Sequence, residues 1–368
     1  MLRQSRKLVR PITRAVHDYD SNCGQGGQIY GPDHLAMQET LRKIIQNDIN
    51  PYTAEWEEAK IYPAHKIMKI LGNAGLLGVS HPVECGGLGL DYSYTVAVSE
   101  TLGEINVAAI PMSIGVQFEM ATPALAKFGS DYVKEQFLAP SIKGDLVASL
   151  GVSEPHAGSD VAQIKTTARR DGDDYIINGQ KMWITNGIQG DWICLLANTN
   201  DGPIHSSKSL ICVPLDTPGV TRFKKIDKIG MHSSDTAQLV FEDVRVPAKN
   251  LIGEEGSGFI YQMIQFQQER IFGKFTAFKQ FWTLVLAIAS SLRGMETCID
   301  ATVEYTRQRQ AFGKPILDNQ YVHFRLAELQ TEIELLRSLM YRVTAMYVHG
   351  EDATKLASMG KLKSGLRR

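Results

Sequence analysis

The feature that most constrains the fold of this chain is a change of period along its length. From Pro32 to about Gly144 apolar residues recur at helical spacing. From about Leu146 to Pro247 they form short β-rich runs separated by Asp, Gly, Pro and Ser, and from about Gly253 onward helical spacing returns. Side chains repeat roughly every 3.6 residues on a helix and every two on a strand, so one segment cannot satisfy both. The order predicts an α+β multidomain fold, with a small barrel or sandwich held between two helical regions. The boundaries that follow are 1–29 for a leader and linker, 30–145 for an N-terminal α-helical domain, 146–250 for a central β domain and 251–368 for a C-terminal α-helical domain.

Within the first helical region, Asp33 is placed to N-cap a helix carrying Leu35, Leu41, Ile44, Ile45 and Ile49 inward and closing at Pro51. A second helix presents Ile67, Ile70 and Leu71 on one face. The turn at 84–91 precedes a third from Ser93, and Pro140 breaks the helical pattern of 118–137. In the middle region, 173–186 reads as two strands around an Asn178-Gly179 hairpin turn. Further strands are expected at 192–196, 209–214 and 238–241, and long helices at 261–270, 284–307 and 319–349.

Composition excludes several classes. The 368 residues carry 39 Lys+Arg against 40 Asp+Glu, a formal net charge of -1, so no bulk attraction to nucleic acid is expected. No uncharged apolar run reaches the roughly 18 residues that a membrane span needs. The five cysteines are scattered without CxxC spacing, which argues against a disulfide framework or a cysteine-rich zinc site. Residues 1–17 hold Arg3, Arg6, Lys7, Arg10 and Arg14 and no acid, the pattern of a mitochondrial transit peptide and hence of a matrix protein. The glycines of 86–89 and 253–258 do not sit in a βαβ unit, so they do not signal a nicotinamide dinucleotide site.

Two segments at the domain junctions carry chemistry. Gly151-Val-Ser-Glu-Pro-His-Ala-Gly-Ser-Asp160 is a loop whose N–H groups and hydroxyls suit a polar heterocycle or phosphate. Lys181-Met-Trp-Ile-Thr-Asn186 places Trp183 and Thr185 two apart on one strand, a flat aromatic beside a hydroxyl on one face. Taken alone, Trp183 is as well read as core, Arg309 as a solvated member of the basic run 307–314, and Glu269 with Arg270 as helix-surface charges.

Taken together, and with Lys228-Ile-Gly-Met-His-Ser-Ser-Asp235, Gly253-Glu-Glu-Gly-Ser-Gly-Phe259 and Thr306-Arg-Gln-Arg-Gln-Ala-Phe-Gly313, they make the chain resemble the acyl-CoA dehydrogenase family over about residues 32–365. The nearest group is that of citronellyl-CoA and long-chain enzymes, which implies a branched or long acyl chain. The resemblance implies FAD as cofactor, α,β-dehydrogenation of an acyl-CoA to the 2-enoyl-CoA, electron-transfer flavoprotein as electron acceptor, a homo-oligomer (a tetramer in the family) and a place in fatty acid β-oxidation. It implies that Leu150, Gly151, Val152 and Ser153 contact the isoalloxazine, that Trp183, Ile184 and Thr185 line it, and that Arg309, Asn319 and Gln320 reach the dinucleotide half of the FAD of a neighbouring subunit. Ser159 would lie near the acyl-CoA. Most of the family carries its catalytic Glu near the C-terminus, and no such segment is present. A minority places it on the helix after the β domain, followed by Arg. Gln267-Gln-Glu-Arg270 matches that pattern, which makes Glu269 the general base, with Arg270 beside it and Gln267 and Arg270 in the acyl pocket.

Two departures set an alternative beside this reading. The sequence ends at Arg368, before a segment that in the family supplies FAD contacts and a donor to the thioester carbonyl. Forty residues separate Glu269 from Arg309, an excess of about a dozen, more than three helical turns, that falls in the aromatic run 272–285. The alternative is an inactive truncated form that binds only acyl-CoA or a full-length subunit.

Overall fold

The computed structural model describes residues 29–266 and 282–366. The N-terminal helices stack around Leu41, Ile45, Ile49, Ile67, Met68 and Leu71, all at most 1 % exposed. The first helix, Pro32–Ile44, differs from expectation at its start. Gly31 is the N-cap, Pro32 takes the first turn, and the Gly31 N–H donates to Nδ1 of His34 at 3.0 Å, leaving Asp33 inside the helix. Leu35 points outward, 50 % exposed. The inward positions go instead to His34, whose Nε2 meets Ser93 Oγ at 2.7 Å, and to Gln38, whose amide donates to the Ala97 carbonyl at 3.2 Å. Polar residues displace a leucine there because the facing helix, Tyr92–Leu102, offers them partners. Asp91 caps that helix by accepting from the Ser93 N–H at 2.8 Å.

Pro140 does not break the helical pattern. Asp131–Val133, a π turn at Lys134–Leu138 and Ala139–Ile142 follow without interruption. The wider turn just before the proline absorbs its missing N–H.

Eight strands form one sheet in the middle domain: β1 (Ala148–Gly151), β2 (Thr167–Asp171), β3 (Asp174–Thr185), β4 (Trp192–Asn198), β5 (Lys208–Pro214), β6 (Val220–Lys225), β7 (Thr236–Pro247) and β8 (Leu251–Ile252). The path runs β6-β7-β3-β2-β4-β5-β8, with β1 paired in parallel to β4. The expected hairpin at Asn178-Gly179 is not a turn. Asp171 pairs with Asp174, so the two-residue turn is Gly172-Asp173, with Gly172 at φ +61°. Gly179 lies inside β3 at a register shift between Ile177 and Gly179 against β7, where φ is +145°. A Cβ there would stand 2.6 Å from Thr166 Oγ1. Gly179→Ala is therefore expected to lower stability by about 1–3 kcal/mol, read as a fall in melting temperature, while Gly158→Ala, which meets nothing within 4 Å, leaves it unchanged.

The C-terminal domain contains helices Trp282–Gln308, Gln320–Val348 and Thr354–Leu366, with a two-stranded ribbon between the first two. Its core of Val285, Ile288, Leu292, Leu336, Met340 and Val343 includes Tyr92 and Val96 of the N-terminal domain. Arg337 ties the same interface together, donating to Glu100 and to Glu296. No helix among the described residues is long and apolar enough to cross a membrane.

Candidate active site

The 151–160 loop and the end of β3 are held together by a buried ion pair. Lys181 Nζ donates to Glu154 Oε1 at 2.8 Å and to the Val152 carbonyl at 3.1 Å, with the two side chains 0 % and 1 % exposed. The Glu154 carboxylate also accepts the N–H groups of Lys165 and Thr166 at 2.7 and 3.0 Å. Burial pushes the Glu154 carboxyl up, but the Lys181 charge and these donors outweigh it and hold it below the ordinary carboxylate range. The Met182 N–H donates to the Ser153 carbonyl at 2.9 Å, so the loop lies directly against the strand that carries Trp183 and Thr185.

The strand is irregular where it meets the loop. A second register shift falls between Lys181 and Ile184, and Trp183 adopts φ +65°, an outlier for a bulky residue. Ile184 is buried in the sheet core at 2 %, while the Trp183 ring is 58 % exposed and Thr185 half-buried. The bulge thus turns Trp183 outward beside Thr185, and strain at a site left open to solvent points to function. Among the described residues the hydroxyls of Ser153 and Thr185 make no hydrogen bond, so both are available to a ligand. An exposed flat ring, two unengaged hydroxyls and a fixed loop fit a flat, polar heterocycle such as a flavin. Gly151 and Val152 are buried and Leu150 packs partly against the core, so along this stretch the loop offers backbone and the Ser153 side chain. Ser159 is exposed at the loop's far end.

Asn186, which the sequence reading did not single out, anchors the strand from behind. It is fully buried at φ +63°, and its amide donates to the carbonyls of Ser113 and Ala148 at 3.1 and 3.0 Å. Its N–H reaches the Asp235 carbonyl at 3.2 Å, and Asp235 in turn accepts from Ile188 and Gln189 N–H. Ser113 belongs to the helix Ala109–Gly115, whose other residues Pro111, Met112 and Gly115 line a cavity of about 890 Å³. The cavity is walled by N-terminal residues on one side and by the helices Trp282–Gln308 and Gln320–Val348 on the other. One helix therefore joins the Trp183–Asn186 strand end to a largely apolar space of ligand size.

Arg309, Asn319 and Gln320 form a second, exposed group. The Ile316 N–H donates to the Arg309 carbonyl at 2.9 Å, which sets Arg309 beside the turn leading to Asn319, the N-cap of the helix Gln320–Val348. No hydrogen bond or ion pair among the described residues joins this group to the Ser153–Trp183 cluster. Gln267, Glu269 and Arg270 lie outside the described residues.

A loop and strand that present an exposed ring and two unengaged hydroxyls, with a largely apolar cavity between two helical domains, give the chain the features of an enzyme with a binding site for a sizeable ligand. Comparison with known proteins places it. Residues 31–145 match the acyl-CoA dehydrogenase N-terminal domain, 149–244 the middle domain and 283–366 the C-terminal domain. The chain is 33 % identical over 331 residues to the short-chain specific acyl-CoA dehydrogenase, mitochondrial, of Rattus norvegicus, covering 89 % of this chain and 76 % of that one. A crystal structure of acyl-CoA dehydrogenase from Geobacillus kaustophilus superposes with a TM-score of 0.84 at 35 % identity, covering 93 % of this chain and 86 % of that one. A glutaryl-CoA dehydrogenase from Mycobacterium smegmatis, solved in complex with FADH2, does so at 0.80 and 26 % identity, covering 92 % and 82 %. The chain belongs to the acyl-CoA dehydrogenase family, and its fold and lineage are those of an oxidoreductase acting on acyl-CoA.

Proposed function

We propose that this protein is an FAD-dependent acyl-CoA dehydrogenase of the mitochondrial matrix that converts an acyl-CoA to its 2-enoyl-CoA and passes the electrons to electron-transfer flavoprotein. The observation that carries the flavin is the exposed, strained Trp183 flanked by the unengaged hydroxyls of Ser153 and Thr185. Bound FAD would supply the two-electron acceptor for the hydride that leaves the β-carbon. Trp183 packs on its ring system, Thr185 and Ser153 donate to its polar edge, and Ile184, Gly151 and Val152 shape the contact through backbone. Arg309, Asn319 and Gln320, exposed and grouped, serve the dinucleotide of a second copy of the chain, which makes the working unit a homo-oligomer.

The chain's own chemistry is proton abstraction. Glu269 takes the α-proton with Arg270 as its catalytic partner, and Ser159, Gln267 and Arg270 bind the acyl-CoA. The cavity of about 890 Å³ between the helical domains receives the acyl chain and is roomy enough for a long or branched one. Exclusion of water around the Glu269 carboxylate would raise its basicity. The cofactor assignment is tested by Thr185→Val in the purified protein. Loss of one hydrogen bond to FAD weakens its affinity by up to about tenfold, measured by flavin fluorescence, with the melting temperature of the apoprotein unchanged. An unchanged FAD affinity in Thr185→Val and in Ser153→Ala would remove both hydroxyls from the site.

A further inference from the structure

One group in the cavity has no role in the reading above. Glu119 lies in the π turn Val116–Ala121 and is 4 % exposed. It lines the 890 Å³ cavity, yet among the described residues neither carboxyl oxygen has a hydrogen-bond partner. Burying a carboxyl without a hydrogen-bond partner costs free energy, so one kept beside an apolar space calls for a partner that the space can admit. π turns are frequent at functional sites, and Glu119 in this one lines the same cavity as Pro111, Met112 and Gly115.

We propose that Glu119 is a specificity-determining residue that selects acyl chains carrying a hydroxyl on their distal part over plain alkyl chains. The inference rests on the cavity being the acyl pocket. Burial pushes the Glu119 carboxyl well above its ordinary range, which favours the protonated form, and a protonated carboxyl presents both an O–H donor and a C=O acceptor. A hydroxyl matches both. A charged chain end of either sign would give up its hydration to reach a group that is 4 % exposed, which a hydroxyl does at far lower cost. An alkyl chain leaves the carboxyl unsatisfied, which a site built to hydrogen-bond its substrate penalises heavily.

The test uses the FAD-loaded full chain and compares hexanoyl-, octanoyl- and decanoyl-CoA with their terminal-hydroxy counterparts. Dissociation constants are read from the perturbation of the flavin spectrum. For at least one chain length the hydroxylated ligand is expected to bind more tightly by on the order of 10- to 100-fold. Glu119→Gln, which keeps a donor and an acceptor, retains that preference. Glu119→Leu abolishes it and raises the melting temperature of the free protein, a pairing that a purely structural role would not produce. Equal or weaker binding of the hydroxylated ligand at every length, or an unchanged preference in Glu119→Leu, overturns the inference while the dehydrogenase reading stands. Should Glu119→Leu not fold, the wild-type comparison and Glu119→Gln still decide. If no acyl-CoA of either series binds, the dehydrogenase reading fails and this inference falls with it.

Discussion

Glu269→Gln is expected to yield a protein that binds FAD normally but is reduced by acyl-CoA more slowly by about 10²–10⁴-fold. The substitution keeps the size and hydrogen-bonding of the side chain and removes only its ability to take a proton. The α-proton of a thioester is weakly acidic, so its abstraction needs a positioned base in a site shielded from water. The carboxylate proposed for this role belongs to Gln267-Gln-Glu-Arg270, which follows the helix Gly258–Phe266 in the sequence. The check is anaerobic stopped-flow reduction of the flavin. An unchanged rate in Glu269→Gln combined with a collapse in Glu119→Gln would move the base to Glu119, the buried carboxyl group that lines the cavity between the helical domains.

The largest loss of stability is expected from Lys181→Met. Breaking a buried ion pair from one side leaves a carboxylate without its counter-charge at a cost of about 3–5 kcal/mol. Lys181 and Glu154 are 0 % and 1 % exposed, and Lys181 also holds the Val152 carbonyl. The variant should therefore melt earlier and also bind FAD poorly, because the loop bearing Ser153 loses its tie to the strand bearing Trp183. Lys60→Met breaks an ion pair with Asp227 that is 53 % and 81 % exposed, and should change neither property. The same pair sets an acid limit. Glu154 is held below its ordinary pKa of 4.5, so it contributes stability that is present above that value and is lost as pH falls through the lowered one. Denaturation curves on the acid side should show this loss in the wild type and much less of it in Lys181→Met.

The helix, β, helix order and most element positions were legible in the sequence because apolar period survives in each segment. Strands β4 and β5 and the helices Trp282–Gln308 and Gln320–Val348 fall where the pattern places them, whereas the helix Thr354–Leu366 was not expected and the helix expected at 261–270 is described only as far as Phe266. What failed did so for tertiary reasons. Asn178-Gly179 has the composition of a turn, but Gly179 is a glycine because Thr166 approaches its Cα from a neighbouring segment, a contact 13 residues away in sequence. Leu35 has helical spacing, yet His34 and Gln38 take the buried face because Ser93 and Ala97 bond to them. At the site, Trp183 and Thr185 were legible as a pair, whereas the bulge that aims Trp183 outward was not. The Glu154–Lys181 bridge, the Asn186 anchor and Glu119 were invisible, since each depends on which strands and helices are brought together.

The most direct test of the account is the visible spectrum of the purified protein after incubation with excess FAD and desalting, followed by anaerobic titration with a panel of acyl-CoAs. Retained flavin bands that bleach on addition of at least one acyl-CoA, with the 2-enoyl-CoA recovered, are the predicted result. A colourless protein, or bound flavin that no acyl-CoA reduces, would contradict it.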